Sequence, residues 1–332
     1  MNPATVATIG APAPPYPEGW FQAAYSEDLQ VGQVMRLHYF GRELVLFRTE
    51  SGTAQILNAH CPHVGANLAV GGKVVGEQIQ CPFHNWRYGT DGKCKAIPYS
   101  SHIPDAAVIG AWPTQEHYGI IFFWHSPFGN DPIWDPPELP EYGQADWKGY
   151  IRKRWVVKTT IQEVCENVVD GGHLPAVHGG GGEIPPIDYE FNQYSLDFNF
   201  RFEETADGSR ADRGRHFGTY YGLGLSISHS FGHGRLIFLT GRTPIDETTL
   251  EVRYSMLTGT GQAGDLTGDL ASKVADHTGA EFEKDISIWE NKVYLPSPAL
   301  CKGDGPIGRF RMWAQAFFVH TTPPKLAAVA AE

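Results

Sequence analysis

Four residues inside the stretch Asn58 to Pro98 constrain this chain more than any other feature. Cys61-Pro62-His63 and Cys81-Pro82-Phe83-His84 form one C-x-H and one C-x-x-H pair, with seventeen residues between them. Two thiolates and two imidazoles make a four-ligand metal site, and ligand type alone admits either zinc or an iron–sulfur cluster. Their distribution separates the two. A structural zinc site of this composition usually takes both cysteines from one hairpin and both histidines from one helix, whereas here each loop supplies one of each. Two similar loops clamping one centre suit a binuclear cluster in which one iron takes both cysteines and the other both histidines.

At 332 residues the chain is longer than a cluster domain needs, and length suggests about two domains. The 38 glycines and 24 prolines favour many short strands and turns. A net charge of −11 without any Lys/Arg cluster argues against a nucleic-acid partner, and leaves an acidic surface free to meet a basic patch on an electron donor. Three cysteines remain beside the two in the loops (Cys94, Cys165 and Cys301), an odd number at irregular spacing, so a reducing compartment, the cytoplasm, is expected. No apolar run reaches the ~18 residues of a membrane span, and residues 1–19 have neither the charged nor the apolar region of a signal peptide.

The pattern predicts an α+β protein in four parts. Residues 1–19 read as a flexible Pro/Ala-rich leader, 20–130 as a small all-β domain, 131–149 as a Pro-rich linker, and 150–332 as a second domain with helices on a curved antiparallel sheet. In the first domain a hairpin turns at Gly41 and Arg42. A second hairpin over Gly71–Gln80 carries Cys81 into position, and Asp91-Gly92 closes a third. In the second domain Arg152–Lys158, Ser195–Glu203, Gly234–Thr240 and Leu250–Leu257 alternate like strands. Helices are expected over Thr160–Asp170 and from about Leu270 to Val293.

A second constellation lies in that domain. His173 and His178 are five apart, about 140° of rotation on a straight α-helix, so they cannot share a metal unless the helix breaks. Pro175 supplies the break, and Gly171-Gly172 loosens the preceding turn. The third ligand of a two-histidine, one-carboxylate triad comes from the distant helix, where Phe282, Ile286, Trp289 and Val293 make the apolar stripe. Asp285 lies on that stripe, where a carboxylate is costly unless paired or metal-bound. Glu281, Glu283 and Glu290 fall toward the polar side. The glycine run Gly179–Gly182 follows no strand and precedes no Lys-Ser/Thr, so it is no phosphate cradle; a mobile loop beside the triad is expected.

The first stretch, with Pro after each Cys and with Trp86 and Tyr88 following, resembles the Rieske domain of Rieske non-haem iron oxygenases. Respiratory-chain Rieske proteins carry a further cysteine in each loop, forming a disulfide. Here the corresponding places are Ala66 and Phe83, which points to the lower-potential class, without the disulfide and without hydroxyl hydrogen bonds to the sulfurs. Asn167-x-x-Asp170-x-x-His173-x-x-x-x-His178, with the distant Asp285-x-x-Ile288-Trp289, resembles the catalytic domain of the α, or oxygenase, subunits; the likeness runs from about residue 25 to 320. The resemblance implies a [2Fe–2S] cluster on Cys61, His63, Cys81 and His84, a mononuclear Fe(II) on His173, His178 and Asp285, and O₂ as co-substrate. Electrons would come from NAD(P)H through a ferredoxin or flavin reductase. It further implies that Asp170 bridges His84 of a neighbouring subunit to His173, and hence a head-to-tail homotrimer.

HCPHVGANL, DGKCKAIPY and the stretch Leu295 to Trp313 resemble the 3-ketosteroid 9α-hydroxylase and cholesterol 7-desaturase branch, although Asn67 stands where that branch commonly shows His. This implies hydroxylation of a hydrophobic, steroid-like polycyclic substrate, its wall drawn from Phe217, Tyr220, Tyr221, Leu223, Leu236, Phe238 and Trp313. The alternatives are a desaturase, an aromatic-ring hydroxylase or O-demethylase with the same metals, and an electron carrier or redox sensor whose large domain binds a ligand.

Overall fold

The computed structural model describes residues 15–179, 184, 186–200, 216–231, 234–261, 265–266 and 268–318. Most of the expected leader, the glycines at 180–182 and the strand end at 201–203 lie outside the described residues.

The first domain runs through β1 (Gly19–Tyr25), β2 (Val34–Tyr39), β3 (Arg42–Arg48), β4 (Ala54–Asn58), β5 (Lys73–Val75), β6 (Gln78–Gln80), β7 (Arg87–Gly89), β8 (Cys94–Ala96), β9 (Ala111–Trp112), β10 (Thr114–His117) and β11 (Ile120–His125). These form three small sheets in the orders β1-β11-β10, β2-β3-β4-β9 and β5-β6-β7-β8. The β2–β3 turn falls at Phe40 and Gly41, one residue earlier than expected, because Tyr39 and Arg42 pair in the ladder. Both turn residues have positive φ, 54° and 65°, as a tight two-residue hairpin requires. Phe40 tolerates this because its ring is buried and stacks on His125 at 4.2 Å.

The second domain contains β12 (Trp147–Val157), α1 (Ile161–Glu166), β13 (Ile187–Phe191), β14 (Ser195–Phe200), β15 (His216–Tyr221), β16 (Leu225–Phe231), β17 (Arg235–Pro244), β18 (Leu250–Gly259), α2 (Asp269–Trp289) and α3 (Ile307–Gln315). Its strands form one antiparallel sheet, ordered β12-β18-β17-β16-β15-β14-β13. Strand alternation divides the sheet's faces. Leu225, Ile227, Ile237, Leu239 and Leu257 pack against Trp20, Ile120, Phe122 and Trp124 of the first domain, while Ser226, Ser228, Phe238, Thr240 and Tyr254 face the other way. The sheet therefore stands between the first domain and whatever its second face carries.

That second face is covered by α2. Ala271, Ala275, Gly279, Phe282, Asp285 and Trp289 are its buried residues, at the three- and four-residue spacing of one helix face. Val293, expected to extend this stripe, lies beyond the helix end and is 75% exposed. No helix among the described residues is long and apolar enough to cross a membrane.

Candidate active site

The two cysteine loops are copies of one turn. Cys61 N–H donates to the carbonyl of Ala66 and Cys81 N–H to that of Trp86, while their own carbonyls accept from Gly65 and Asn85 four residues on. Gly65 and Asn85 occupy the same place in the turn with φ of 81° and 58°, a left-handed conformation that glycine and asparagine adopt more readily than other residues. Both sulfurs are buried, and the His63 and His84 rings stand 4.6 Å apart. His63 Nδ1 and His84 Nδ1 are buried without a hydrogen-bond partner among the described residues, and the His63 ring stacks on Trp86 at 4.3 Å. Two shielded sulfurs, and two shielded imidazole nitrogens with no partner among the described residues, are the donor set that a [2Fe–2S] cluster takes from two cysteines and two histidines.

One expectation fails here. The Tyr88 hydroxyl lies 3.1 Å from Cys61 Sγ, so a hydroxyl hydrogen bond to a ligand sulfur is present. β7 presents Tyr88 inward, fully buried in the small core behind the loops.

On the second domain, α1 is capped by Thr160, whose side chain accepts from Glu163 N–H, and its last residue Glu166 holds Arg311 of α3 through bonds of 2.7 and 2.8 Å. From this anchored end the chain turns at Asp170 and enters a π-turn over Leu174–His178. The wider i→i+5 winding brings residues five apart onto one face, so the His173 and His178 rings lie 5.2 Å apart. The helix widens here; no break is needed, and Pro175 sits in its first positions, where no N–H is required.

His173, His178 and Asp285 come together with their ligand atoms within 4.8 Å of one another. His178 Nε2 is 3.3 Å from Asp285 Oδ2, and its Nδ1–H donates to Glu281 Oε2 at 3.0 Å. His173 Nδ1–H donates to the main-chain carbonyl of Asp170, leaving Nε2 toward the triad, where the Asn167 amide approaches to 3.1 Å. Each imidazole is thus held by its far nitrogen, the arrangement that fixes tautomer and ring orientation in metal-binding histidines. Burial pushes the Asp285 carboxyl above its ordinary value although His178 and His173 pull it down. A divalent cation supplies the positive charge that this buried carboxylate lacks, so the donor set fits Fe(II).

Asp170 differs from expectation within the chain. Its carboxylate accepts from Gly172 N–H at 3.1 Å, and only its main-chain oxygen meets His173, because the turn folds the side chain back on its own backbone. Glu281 and Asn167 were not assigned roles from sequence. Glu281 lies four residues before Asp285 and so shares its side of α2, and Asn167 opens the histidine motif.

A cavity of about 260 Å³ lies over the triad, lined by Asp170, His173 and Asp285 and walled by aromatic residues including Phe198, Phe282 and Trp289. Tyr220 and Phe238 line it. The other expected wall residues do not. Phe217 and Tyr221 point to the opposite face, Phe217 stacking on His229 at 5.0 Å and Tyr221 packing toward the first domain. Leu236 shares the face of Phe238 but packs farther along with Met256 and Ala271, while Leu223 sits in the buried core. Trp313 is buried in the core of α3, its Nε1–H donating to Asn192 O at 2.8 Å. For Phe217 and Tyr221 the physical reason is the two-residue period of strands, which turns residues one apart to opposite faces. His216 joins the lining from β15, and burial pushes its imidazole down to about 4.

Residues 19–107 match the Rieske [2Fe-2S] domain and residues 123–318 match the family described as the 3-ketosteroid 9alpha-hydroxylase C-terminal domain. The chain is 32% identical to a cholesterol 7-desaturase of Xenopus laevis, over 93% of this chain and 73% of that protein. It is 31% identical to a probable 3-ketosteroid-9-alpha-monooxygenase oxygenase component of Rhodococcus rhodochrous, over 94% and 82%. Among solved structures, NdmA of Pseudomonas putida CBB5, a mutant with caffeine, superposes with a TM-score of 0.74 at 17% identity over 89% of both chains. Dicamba monooxygenase bound to dicamba gives 0.70 at 16% identity over 90% and 96%. At such identities these two structures speak for the fold alone. The chain belongs to the Rieske oxygenases, as an oxygenase component with the 3-ketosteroid 9alpha-hydroxylase type of C-terminal domain.

Proposed function

We propose that this chain is the terminal oxygenase of a multicomponent system that hydroxylates a steroid-like polycyclic substrate. The observation that carries this reading is the aromatic-walled cavity lined by His173 and Asp285, in a chain whose relatives bear the names of steroid-acting enzymes. The chemistry supplied by the bound groups is one-electron storage in the cluster and O₂ activation at an Fe(II) with open positions.

The chain's own residues have separate tasks. His173, His178 and Asp285 would hold the metal; Glu281 and the Asp170 carbonyl keep both imidazoles aimed; Phe198, Phe238 and Phe282 bind and orient the apolar substrate and exclude water. Electrons arrive from NAD(P)H through a ferredoxin or flavin reductase.

The triad cavity lies on the sheet face turned away from Trp20, Ile120, Phe122 and Trp124 of the first domain, which favours delivery from a second copy in a head-to-tail homotrimer. Exposed Val64 and Phe83 flank the cluster histidines as an apolar rim suited to such a contact. In that contact Asp170 is the positioning residue, its carboxylate accepting from His84 Nε2–H of the neighbouring copy.

Anaerobically purified protein should contain three irons per chain, and Asp285→Ala should contain two with an unchanged Rieske spectrum. Two irons in the unaltered protein would point instead to an electron carrier. A panel of ketosteroids and methoxyarenes, scored by product-coupled O₂ uptake with a surrogate reductase, tests the substrate class. Turnover confined to methoxyarenes would overturn the steroid reading.

A further inference from the structure

The cavity has a polar end that an all-apolar steroid would leave unused. Arg242, on β17, lines it and is only 5% exposed. Comparably shielded arginines in this protein each hold a carboxylate: Arg48 holds Glu116, Arg253 holds Glu251 and Arg311 holds Glu166. Arg242 has no carboxylate partner among the described residues. The groups that act on it electrostatically are Tyr220, Cys165 and Tyr254. Its Nε and Nη1 are buried with no acceptor among the described residues, and only Nη2 is engaged, donating to Tyr220 Oη at 3.1 Å and to Ser226 Oγ at 3.0 Å.

The direction of those two bonds matters. A guanidinium can only donate, so both hydroxyl oxygens act as acceptors toward it and their own O–H protons are left to donate elsewhere. Tyr220 and Ser226 both line the cavity, and neither hydroxyl meets an acceptor among the described residues. A buried cation without an anion is costly, and two hydroxyl donors backed by that cation form a ready acceptor-binding pole. Tyr254 lines the same cavity as Arg242 and Asp285.

We propose that the substrate carries a carboxylate, which this pole binds: the Tyr220 and Ser226 hydroxyls donate to it, and Arg242 supplies the compensating charge. The inference rests on the reading of this cavity as the substrate site, and it narrows the substrate from a neutral polycycle to an acid. The carboxylate could sit on a steroid skeleton or on a single aromatic ring, and the test separates these sources.

Equilibrium binding to the holoenzyme, under anaerobic conditions so that no turnover occurs, is measured for a 3-ketosteroid carboxylic acid, its methyl ester, a neutral ketosteroid, and a methoxybenzoate with its ester. Each acid that fits should bind about 10- to 100-fold more tightly than its ester, the range expected of a charge-assisted contact. Arg242→Met should erase that preference by weakening the acid alone, and Arg242→Lys should keep part of it. Ser226→Ala, which removes one donor and no charge, should weaken the acid several-fold with the ester unaffected; it serves if Arg242→Met does not fold.

Equal binding of acid and ester by the unaltered enzyme, or equal weakening of both by the variants, overturns the inference. Tight binding of a neutral ketosteroid without acid preference does so too, while leaving the steroid reading intact. Acid preference confined to the methoxybenzoate upholds the anchor and overturns the steroid reading.

Discussion

The two candidate metal sites bring their four and three donor side chains together by opposite routes. The cluster ligands lie in two short loops whose turns repeat the same hydrogen bonds, with Gly65 and Asn85 in matching left-handed positions. The triad takes two ligands from a π-turn and the third from a helix far along the chain, and their convergence depends on how α2 packs on the sheet. Geometry written into local backbone tolerates distant packing defects, whereas geometry assembled by packing does not.

The largest expected effect tests that contrast directly. Trp289 is 5% exposed, packs on Phe282 at 5.2 Å and is no ligand. Trp289→Ala should cost about 3–5 kcal/mol of stability locally and empty the triad of iron while the Rieske spectrum survives. Parallel loss of both metals, by metal analysis and EPR, would break the comparison.

A second test uses one shielded histidine from each domain. His125, whose Nδ1–H donates to Pro17 O at 2.8 Å, and His216 are both pushed down to about 4 by burial. Unfolded histidine titrates near 6.5, so between about pH 6.5 and 4 the unfolded chain binds protons that the folded chain refuses. The contribution is therefore complete above about pH 6.5 and is lost as pH falls, up to about 3 kcal/mol for each residue. Denaturant melts at pH 7.5 and 5 should show it, and His125→Gln should flatten the dependence by about half. A pH-independent midpoint in the unaltered protein would contradict the assignment.

The smallest effect sharpens the cluster side. Tyr88→Phe removes the hydroxyl beside Cys61 Sγ, which favours the more negative, reduced cluster. The midpoint potential should fall by about 40 mV, the one-electron equivalent of about 1 kcal/mol. No change on voltammetry would mean that the hydroxyl donates elsewhere.

Much of this was legible from residue order alone, for reasons that can be named. Cys61, His63, Cys81 and His84 announce themselves because their spacing is local, and Asp285 because a carboxylate on an apolar stripe is conspicuous. The π-turn was not legible: an expected kink at Pro175 and a widened turn place the two imidazoles alike, and sequence does not distinguish them. The cavity wall was half legible. Aromatic content picks out β15 and β17, but which of Phe217 and Tyr220 looks inward depends on register, and register is fixed by the whole sheet. Arg242 gave no signal, since a lone arginine in a strand reads as an ordinary surface residue until its burial is seen.

The apolar seam between β1, β11 and the back of the large sheet bears on how this protein comes apart. Trp20, Ile120, Phe122 and Trp124 are almost wholly covered by residues of the second domain and of one another. The linker after β11 marks where the chain crosses over, and it is not a line of weakness. Cutting there would strip a shared interior from both halves, so heat should unfold the molecule in a single calorimetric step, and neither half should persist as a soluble fragment.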